Sequence, residues 1–331
     1  MSVNISIIIP VYSGENYIQK LTHEIQGIRQ EWIEHDYPIS ISELIFVDDN
    51  SIDSSSDILN KLEKESWINV LTLSKNYGQH SATAAGISYS SGDWIVTMDE
   101  DLQHDPKYIL EMLKKCILCK IDLVYAEPKS WVHSSIYRDV SSKTYKKIIS
   151  ALTKNNNISK FNSFRVIRGS IARSASAVLS HDGYFDIVLG WFTNRISTIS
   201  LEITDQRYVQ DGKSGYSFEK LITHARKLIM TSDAKLLRIV AFLGLFMLIL
   251  CVILISYYLG LNFFYPESIS VDGWTTVILV ILGVGGGTAI ILSLIAEYIA
   301  IITQQIHGKP AFSVVDRTVD KLLYDFFNYK N

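Results

Sequence analysis

Residues 93–106 read DWIVTMDEDLQHDP, a short apolar run that breaks into four acids within seven positions. A run of Trp, Ile and Val this short suits a strand buried on both faces. The acids Asp99, Glu100, Asp101 and Asp105 then stand where the strand gives way to a loop, and Asp105 with Pro106 makes a helix start, acid at the N-cap and proline in the first turn. Side chains alternate in extended backbone, so Asp99 and Asp101 point one way and Glu100 the other. Carboxylates this close oppose one another's ionisation unless a cation or hydrogen-bond donors share them. Asp99 and Asp101 on one side suit a hard divalent cation, Mg²⁺ or Mn²⁺. Glu100 is expected to be a bystander. An isolated Asp-x-Asp is short and common, and by itself reads as a solvated acidic turn.

The same grammar recurs upstream. Residues 5–12 (ISIIIPVY), 42–50 (SELIFVDDN) and 68–73 (INVLTL) are further apolar runs of strand length. Helical patterns lie between them, at 15–33, 53–64, 80–91 and 106–119. Strand–helix alternation predicts a parallel sheet covered by helices on both faces, with the site at the carboxyl ends of the strands. Pro10-Val11-Tyr12, Asp48-Asp49 and Asp99-Glu100-Asp101 all fall at such ends and converge on one rim. Residues 130–215 are less regular: a basic amphipathic helix within 131–154, a strand or loop and then a helix within 161–180, and a strand within 196–209.

The 331-residue chain has 20% charged residues, yet its mean hydropathy is +0.16, so apolar residues must be concentrated somewhere. They are concentrated at 239–261 and 274–296, which carry no charged residue. Each run is long enough to cross a hydrocarbon core of about 30 Å. Residues 216–231 place Leu221, Ile222, Ala225, Leu228 and Ile229 on one helical face, as in a helix lying at a membrane surface. Lys213, Lys220, Arg226, Lys227, Lys235 and Arg238 precede the first span, the short loop between spans has no Lys or Arg, and Lys309, Arg317 and Lys321 follow the second. The positive-inside rule then puts both termini and the globular domain in the cytoplasm. Gly283, Gly285, Gly286 and Gly287 would allow close helix approach, within the hairpin or between the subunits of a homo-oligomer. A net charge of −3 gives no general attraction to nucleic acid. Cys116 and Cys119 lack the second ligand pair of a zinc site and read as small core residues. The N-terminal residues lack the basic and apolar regions of a signal peptide.

The stretches SIIIPVYSGENYI (6–18), LIFVDDNSIDSS (44–55) and LSKNYGQHSATAAGISYSSGDWIVTMDEDLQHDPKYI (73–109) together resemble family 2 glycosyltransferases of the GT-A fold. The branch most resembled moves a sugar from a nucleotide to a polyprenyl phosphate. RYVQDGKSGYS (207–217) and AEYIAIITQQIHGKPAF (296–312) extend the likeness through the membrane hairpin. The resemblance implies an α/β, Rossmann-like nucleotide-diphospho-sugar transferase domain over 1–215, an amphipathic juxtamembrane helix over 216–236, transmembrane helices over 237–261 and 274–303, and a cytoplasmic tail over 304–331. It implies an inverting, metal-dependent transfer from a nucleotide-sugar, a UDP-sugar first among them, to undecaprenyl phosphate at a bacterial inner membrane. The product would be a polyprenyl-monophosphate sugar for envelope glycan, O-antigen or lipid A modification.

By the same resemblance, Pro10, Tyr12 and Glu15 line the base and ribose, and Asp49, with Asp48, binds the base. Asp99 lies near the ribose and diphosphate, Asp101 and Gln103 hold the metal, and Asn76 and Gly78 shape the floor. A lipid phosphate needs cations to hold it, and Arg138, Arg165, Arg207 and Lys213 are the candidates. Asp186-Ile187 stands where the family often has Arg-Gly, a departure that would point to a different sugar. Two other readings are a membrane glycosyltransferase with a polysaccharide acceptor, whose usual Gln-x-x-Arg-Trp motif is missing here, and a non-catalytic scaffold of the same fold.

Overall fold

A computed structural model of the chain describes residues 2–128, 160–181, 183–201 and 273–316, with single positions at 244, 246, 249, 253, 256, 257, 264 and 320. Contacts divide the chain into two compact units, Met1–Thr231 with Pro310–Asn331, and Ser232–Lys309. The predicted helix over 216–236, Arg138, Arg207, Lys213 and most of the first apolar run lie outside the described residues.

The first unit is built on a seven-stranded sheet. Its strands are β1 (Val3–Val11), β2 (Ile39–Asp48), β3 (Ile68–Thr72), β4 (Trp94–Thr97), β5 (Leu123–Pro128), β6 (Arg165–Arg168) and β7 (Ile196–Leu201). They lie in the order β3-β2-β1-β4-β6-β5-β7. The helices are α1 (Ile18–Glu34), α2 (Ser55–Leu62), α3 (Gln79–Ser88), α4 (Ile109–Leu118), α5 (Gly169–Val178) and α6 (Phe185–Phe192). The sheet is not wholly parallel as expected: β6 runs antiparallel to both β4 and β5.

β1 shows why its sequence is apolar at nearly every position. Ile5, Ile7, Ile9 and Val11 belong to the core under α1, α2 and α4, whereas Ile8 joins Ile45 and Val47 in the core under α3, α5 and α6. With both faces covered, polar alternation is lost. The small-residue helix α3 lies close on the sheet. A methyl group on Gly86 would collide with Ile8 and Val47, so alanine and glycine here set the packing distance.

Pro10 has a positional meaning. β1 pairs with β2 as far as Val11↔Asp48, but its pairing with β4 ends at Ile8↔Thr97. Beyond Ile8 no ladder partner on the β4 side needs an N–H, which is where a proline in a central strand is tolerated. β1 and β4 part there, and a cleft opens between them.

The last described segment of this unit returns to the sheet edge. Ser74 N–H donates to the Ser313 carbonyl (2.9 Å) and Val315 N–H to the Thr72 carbonyl (2.8 Å), while Phe312 and Val314 pack on the α3-side core. In the second unit, α7 (Trp274–Ile306) is 33 residues long, about 50 Å at 1.5 Å per residue. None of its Gly283–Ala300 stretch is buried within the chain, and Val277, Ile281, Leu292, Ile295 and Ile299 are exposed. A methyl placed on Gly244, in the first apolar run, would lie 3.7 Å from Ile291 Cδ1 of α7. Gly283, Gly285 and Gly286 have no described atom within 4 Å of such a methyl.

Candidate active site

The cleft between β1 and β4 has a volume of about 280 Å³ and is lined by Pro10, Val11, Tyr12, Asp49, Asn76, Gly78, Gln79, Asp99, Glu100 and Asp101. It lies at the carboxyl ends of β1, β2 and β4, where the strand order reverses from β1-β2-β3 to β4. Open α/β sheets bind ligands at such a switch point. Seven of the sequence-nominated residues meet here: Pro10, Tyr12, Asp49, Asn76, Gly78, Asp99 and Asp101. Val11 and Glu100, expected on the rim but given no ligand role, also line it, as does Gln79, which the sequence did not single out.

Each carboxylate is held differently. Asp49 accepts from the backbone N–H groups of Tyr77 (2.7 Å) and Gly78 (2.8 Å), fixing the loop that leads into α3. Gly78 has φ +87°, a left-handed conformation that favours glycine, so the chain turns here at low cost. Burial pushes the Asp49 carboxyl above its usual range; these two bonds pull against it, and the neighbouring Asp48 adds to the rise. Asp99 takes the Gln79 side-chain amide on one oxygen (2.5 Å) and the Ser163 hydroxyl on the other (2.6 Å). Asp101 accepts from the Gln103 backbone N–H (3.2 Å), and Leu102 between them has φ +59°. His104 is buried, stacks on Phe164 at 5.1 Å between ring centroids, and has its pKa lowered by burial against the pull of Asp99 and Asp101.

Glu100 is no bystander. Its carboxylate is buried and accepts the backbone N–H groups of Tyr12 (2.9 Å) and Ser13 (3.1 Å), tying the end of β1 to the end of β4. The alternation expected across 99–101 is not found, because β4 ends at Thr97 and Glu100 and Asp101 lie in the turn that follows; Glu100 lines the same cleft as Asp99 and Asp101. Asp105 is the N-cap expected of it, accepting from Lys107 N–H (3.0 Å) ahead of Pro106.

Other nominated residues stand outside the cleft. Asp48 is buried and turned towards α2, accepting from Ser51 N–H (2.8 Å), the Ser51 hydroxyl (2.6 Å) and the Ser56 hydroxyl (2.5 Å). Glu15 accepts Ser54 N–H (3.0 Å) at the start of α2, while its own N–H donates to Asp53 (3.1 Å). Gln103 does not line the cleft.

Arg165 departs furthest from expectation. It is 3% exposed and lies in the core, where its Nε donates to the Thr97 hydroxyl (2.9 Å) and its Nη1 pairs with Asp186, itself 4% exposed. The Tyr125 hydroxyl donates to the same Asp186 oxygen (2.9 Å). Burial works against the Arg165 charge, yet Asp186 together with Tyr125 and Tyr184 outweighs it and holds the guanidinium pKa above its usual value. The grip on an acceptor phosphate expected of Arg165 is therefore not the geometry found. The acid at 186, unusual against the family pattern, is the counter-ion of this buried arginine.

Among the described residues, four of the ten that line the cleft are carboxylates and none is Lys or Arg. Among the described residues no cluster of three or more His, Cys, Asp or Glu side chains could hold a metal unaided. Cys116 is buried, with burial pushing its thiol up to about 12, and Cys119 is exposed.

Residues 6–174 match the family model for glycosyl transferase family 2. Undecaprenyl-phosphate 4-deoxy-4-formamido-L-arabinose transferase of Pectobacterium atrosepticum is 26% identical over 317 residues, covering 94% of this chain and 92% of that one. The uncharacterized glycosyltransferase sll0501 of Synechocystis is 24% identical over 318 residues, covering 96% of each. Among solved structures, mannosyl-3-phosphoglycerate synthase from Rubrobacter xylanophilus aligns with a TM-score of 0.49 at 12% identity, over 73% of this chain and 75% of that one. The family model spans more than half of the chain and takes in every residue that lines the cleft: the protein belongs to glycosyl transferase family 2 and is a glycosyltransferase with a GT-A-like α/β fold.

Proposed function

We propose that the enzyme transfers a sugar from a nucleotide-sugar, a UDP-sugar first among them, to the phosphate of undecaprenyl phosphate, with inversion, at the cytoplasmic face of a bacterial inner membrane. The observation that carries this reading is the cleft at the switch point of the sheet, lined by Asp49, Asp99, Glu100 and Asp101. A nucleoside diphosphate enters such a cleft only with a divalent cation between the charges. Hard carboxylate oxygens suit Mg²⁺ or Mn²⁺. Asp101, which lines the cleft, would hold the ion, and when bound it supplies neutralisation of the charge growing on the leaving diphosphate.

The chain's own groups do the rest. Asp99, oriented by Gln79 and Ser163, contacts the ribose and diphosphate side of the donor. Tyr12, Pro10 and Asp49 border the base and ribose, and Asn76 and Gly78 form the floor. The acceptor phosphate monoester has a second pKa of about 6 and is largely dianionic at pH 7, so no strong general base is required. Its oxygen forms the new bond at the anomeric carbon as the bond from that carbon to the diphosphate oxygen breaks. Arg138, Arg207 and Lys213 are the cations proposed to hold it. The undecaprenyl-phosphate acceptor in the name of the Pectobacterium relative supports this acceptor class. The two uncharged runs at 239–261 and 274–296 and their basic flanks support a membrane hairpin with a cytoplasmic catalytic unit.

The test is to incubate membranes containing the protein with radiolabelled nucleotide-sugars, undecaprenyl phosphate and Mn²⁺ and to extract with chloroform. Label in the organic phase that depends on the added lipid is the expected result. Label passing instead to a polymer, or to nothing, would overturn the reading.

A further inference from the structure

The hydrogen bonds behind Asp99 continue past the cleft wall. Thr97, two residues earlier in β4, is 2% exposed and donates its hydroxyl to the Ser163 carbonyl (2.6 Å). The same Thr97 hydroxyl accepts from Arg165 Nε (2.9 Å), and Arg165 is anchored in turn by Asp186. Asp186 also receives the Tyr125 hydroxyl from β5 (2.9 Å). Ser163 is thus fixed through its backbone to β4 while its hydroxyl reaches Asp99 Oδ2 (2.6 Å). Gln79, from the first turn of α3, holds Oδ1 from the other side (2.5 Å). A carboxylate has about four lone-pair positions. With one position on each oxygen so occupied, the carboxylate plane is set and the remaining positions have fixed directions for a ligand's hydroxyl or amide donors.

We infer that Ser163 and Gln79 are positioning residues for Asp99, and that the buried Arg165–Asp186 pair is the far anchor of the same device. A single carboxylate on an exposed loop end would sample several rotamers, and each ligand would have to order it again. A carboxylate clamped from two elements is ordered beforehand. The inference rests on reading the cleft as the donor site and is independent of which lipid or other acceptor the sugar reaches.

Ser163→Ala removes one hydroxyl and adds nothing. The test uses full-length protein in detergent, titrated calorimetrically with UDP, GDP and dTDP in the presence of Mn²⁺, with the tightest of the three carried into the variants. Ser163→Ala is expected to weaken that nucleotide about tenfold, equivalent to ~1.4 kcal/mol. The donor KM should rise similarly, while acceptor KM and melting midpoint stay at wild-type values. Ser163→Thr, which keeps a hydroxyl, should recover most of the affinity. Unchanged nucleotide affinity in Ser163→Ala would overturn the inference, as would equal losses in donor binding, acceptor KM and melting midpoint, the pattern of a merely structural residue. If no nucleotide bound to wild type, the donor-site reading itself would fall. Weakened nucleotide binding in a protein that transfers nothing to undecaprenyl phosphate would leave this inference standing and remove only the proposed acceptor.

Discussion

Asp186→Asn is the substitution whose cost follows most directly from the buried network. Asparagine keeps the shape and an oxygen that can accept from Tyr125, but it removes the charge opposite Arg165. Both members of the pair are nearly inaccessible, at 3% and 4% exposure, so water cannot replace the lost partner. Nor can Arg165 escape by losing its proton, since guanidinium groups do not deprotonate in proteins. Breaking a buried pair on one side costs about 3–5 kcal/mol. At 2–4 °C per kcal/mol for a unit of this size, the melting midpoint should fall by roughly 6–20 °C. Trp32, Trp67 and Trp94 are buried in the same unit, so tryptophan emission of the full-length protein in detergent reports the transition. The double variant Arg165→Met with Asp186→Asn carries no buried charge, and Thr97 can still donate to Ser163. It should recover most of the loss. A single variant melting within about 2 °C of wild type would refute the claim of an uncompensated buried charge. So would a double variant as unstable as the sum of its two singles, which would assign the effect to packing.

Three further substitutions test separate contacts. Glu100→Gln leaves only one side-chain oxygen for the Tyr12 and Ser13 N–H groups; it should destabilise the unit by about 1–3 kcal/mol in denaturant titration and weaken nucleotide binding by loosening the β1 end of the cleft. Gly86→Ala places a methyl against Ile8 and Val47, and this overpacking should cost about 1–3 kcal/mol on the same assay. Val315→Pro deletes the N–H that donates to Thr72, so amide exchange at Ser74, whose N–H donates to Ser313 of the same segment, should accelerate while exchange at Leu73, bonded to Asp48, and in the central strands is unchanged.

The first 120 residues were legible because their physics is local. Strands covered on both faces must be apolar throughout, and the helices between them carry their own periodicity and caps. β5 was missed: Leu123–Pro128 is short, its apolar residues give way to Glu127 and Pro128, and its partners are β6 and β7, distant in sequence. The reversed direction of β6 was equally hidden, since strand direction depends on how the preceding connection crosses the sheet. In the cleft, the residue types at the strand ends were enough to bring together Pro10, Tyr12, Asp49, Asp99 and Asp101, whereas Asn76 and Gly78 came from the family resemblance. Glu100 was misread because its partners, two backbone N–H groups, have no sequence signature and lie 88 and 87 positions away. Arg165 differs from the expectation because a guanidinium suits a phosphate and a buried carboxylate equally well, and the residue type alone does not say which of the two it meets. A usable signal did exist: Phe164, Val166 and Ile167 around it are the residues of a strand buried on both sides, and an arginine there requires a buried acid. Asp186, already conspicuous as an acid out of pattern, was that acid.

The central claim is that the bond broken is the one between the sugar's anomeric carbon and the diphosphate. Purified full-length protein in vesicles containing undecaprenyl phosphate, supplied with a donor accepted in the membrane assay and Mn²⁺, should convert the lipid to a product heavier by one sugar residue and still containing a single phosphorus, as read by mass spectrometry. Asp101→Ala should give none of it. A lipid product with a second phosphorus, or full conversion by Asp101→Ala, would contradict the account.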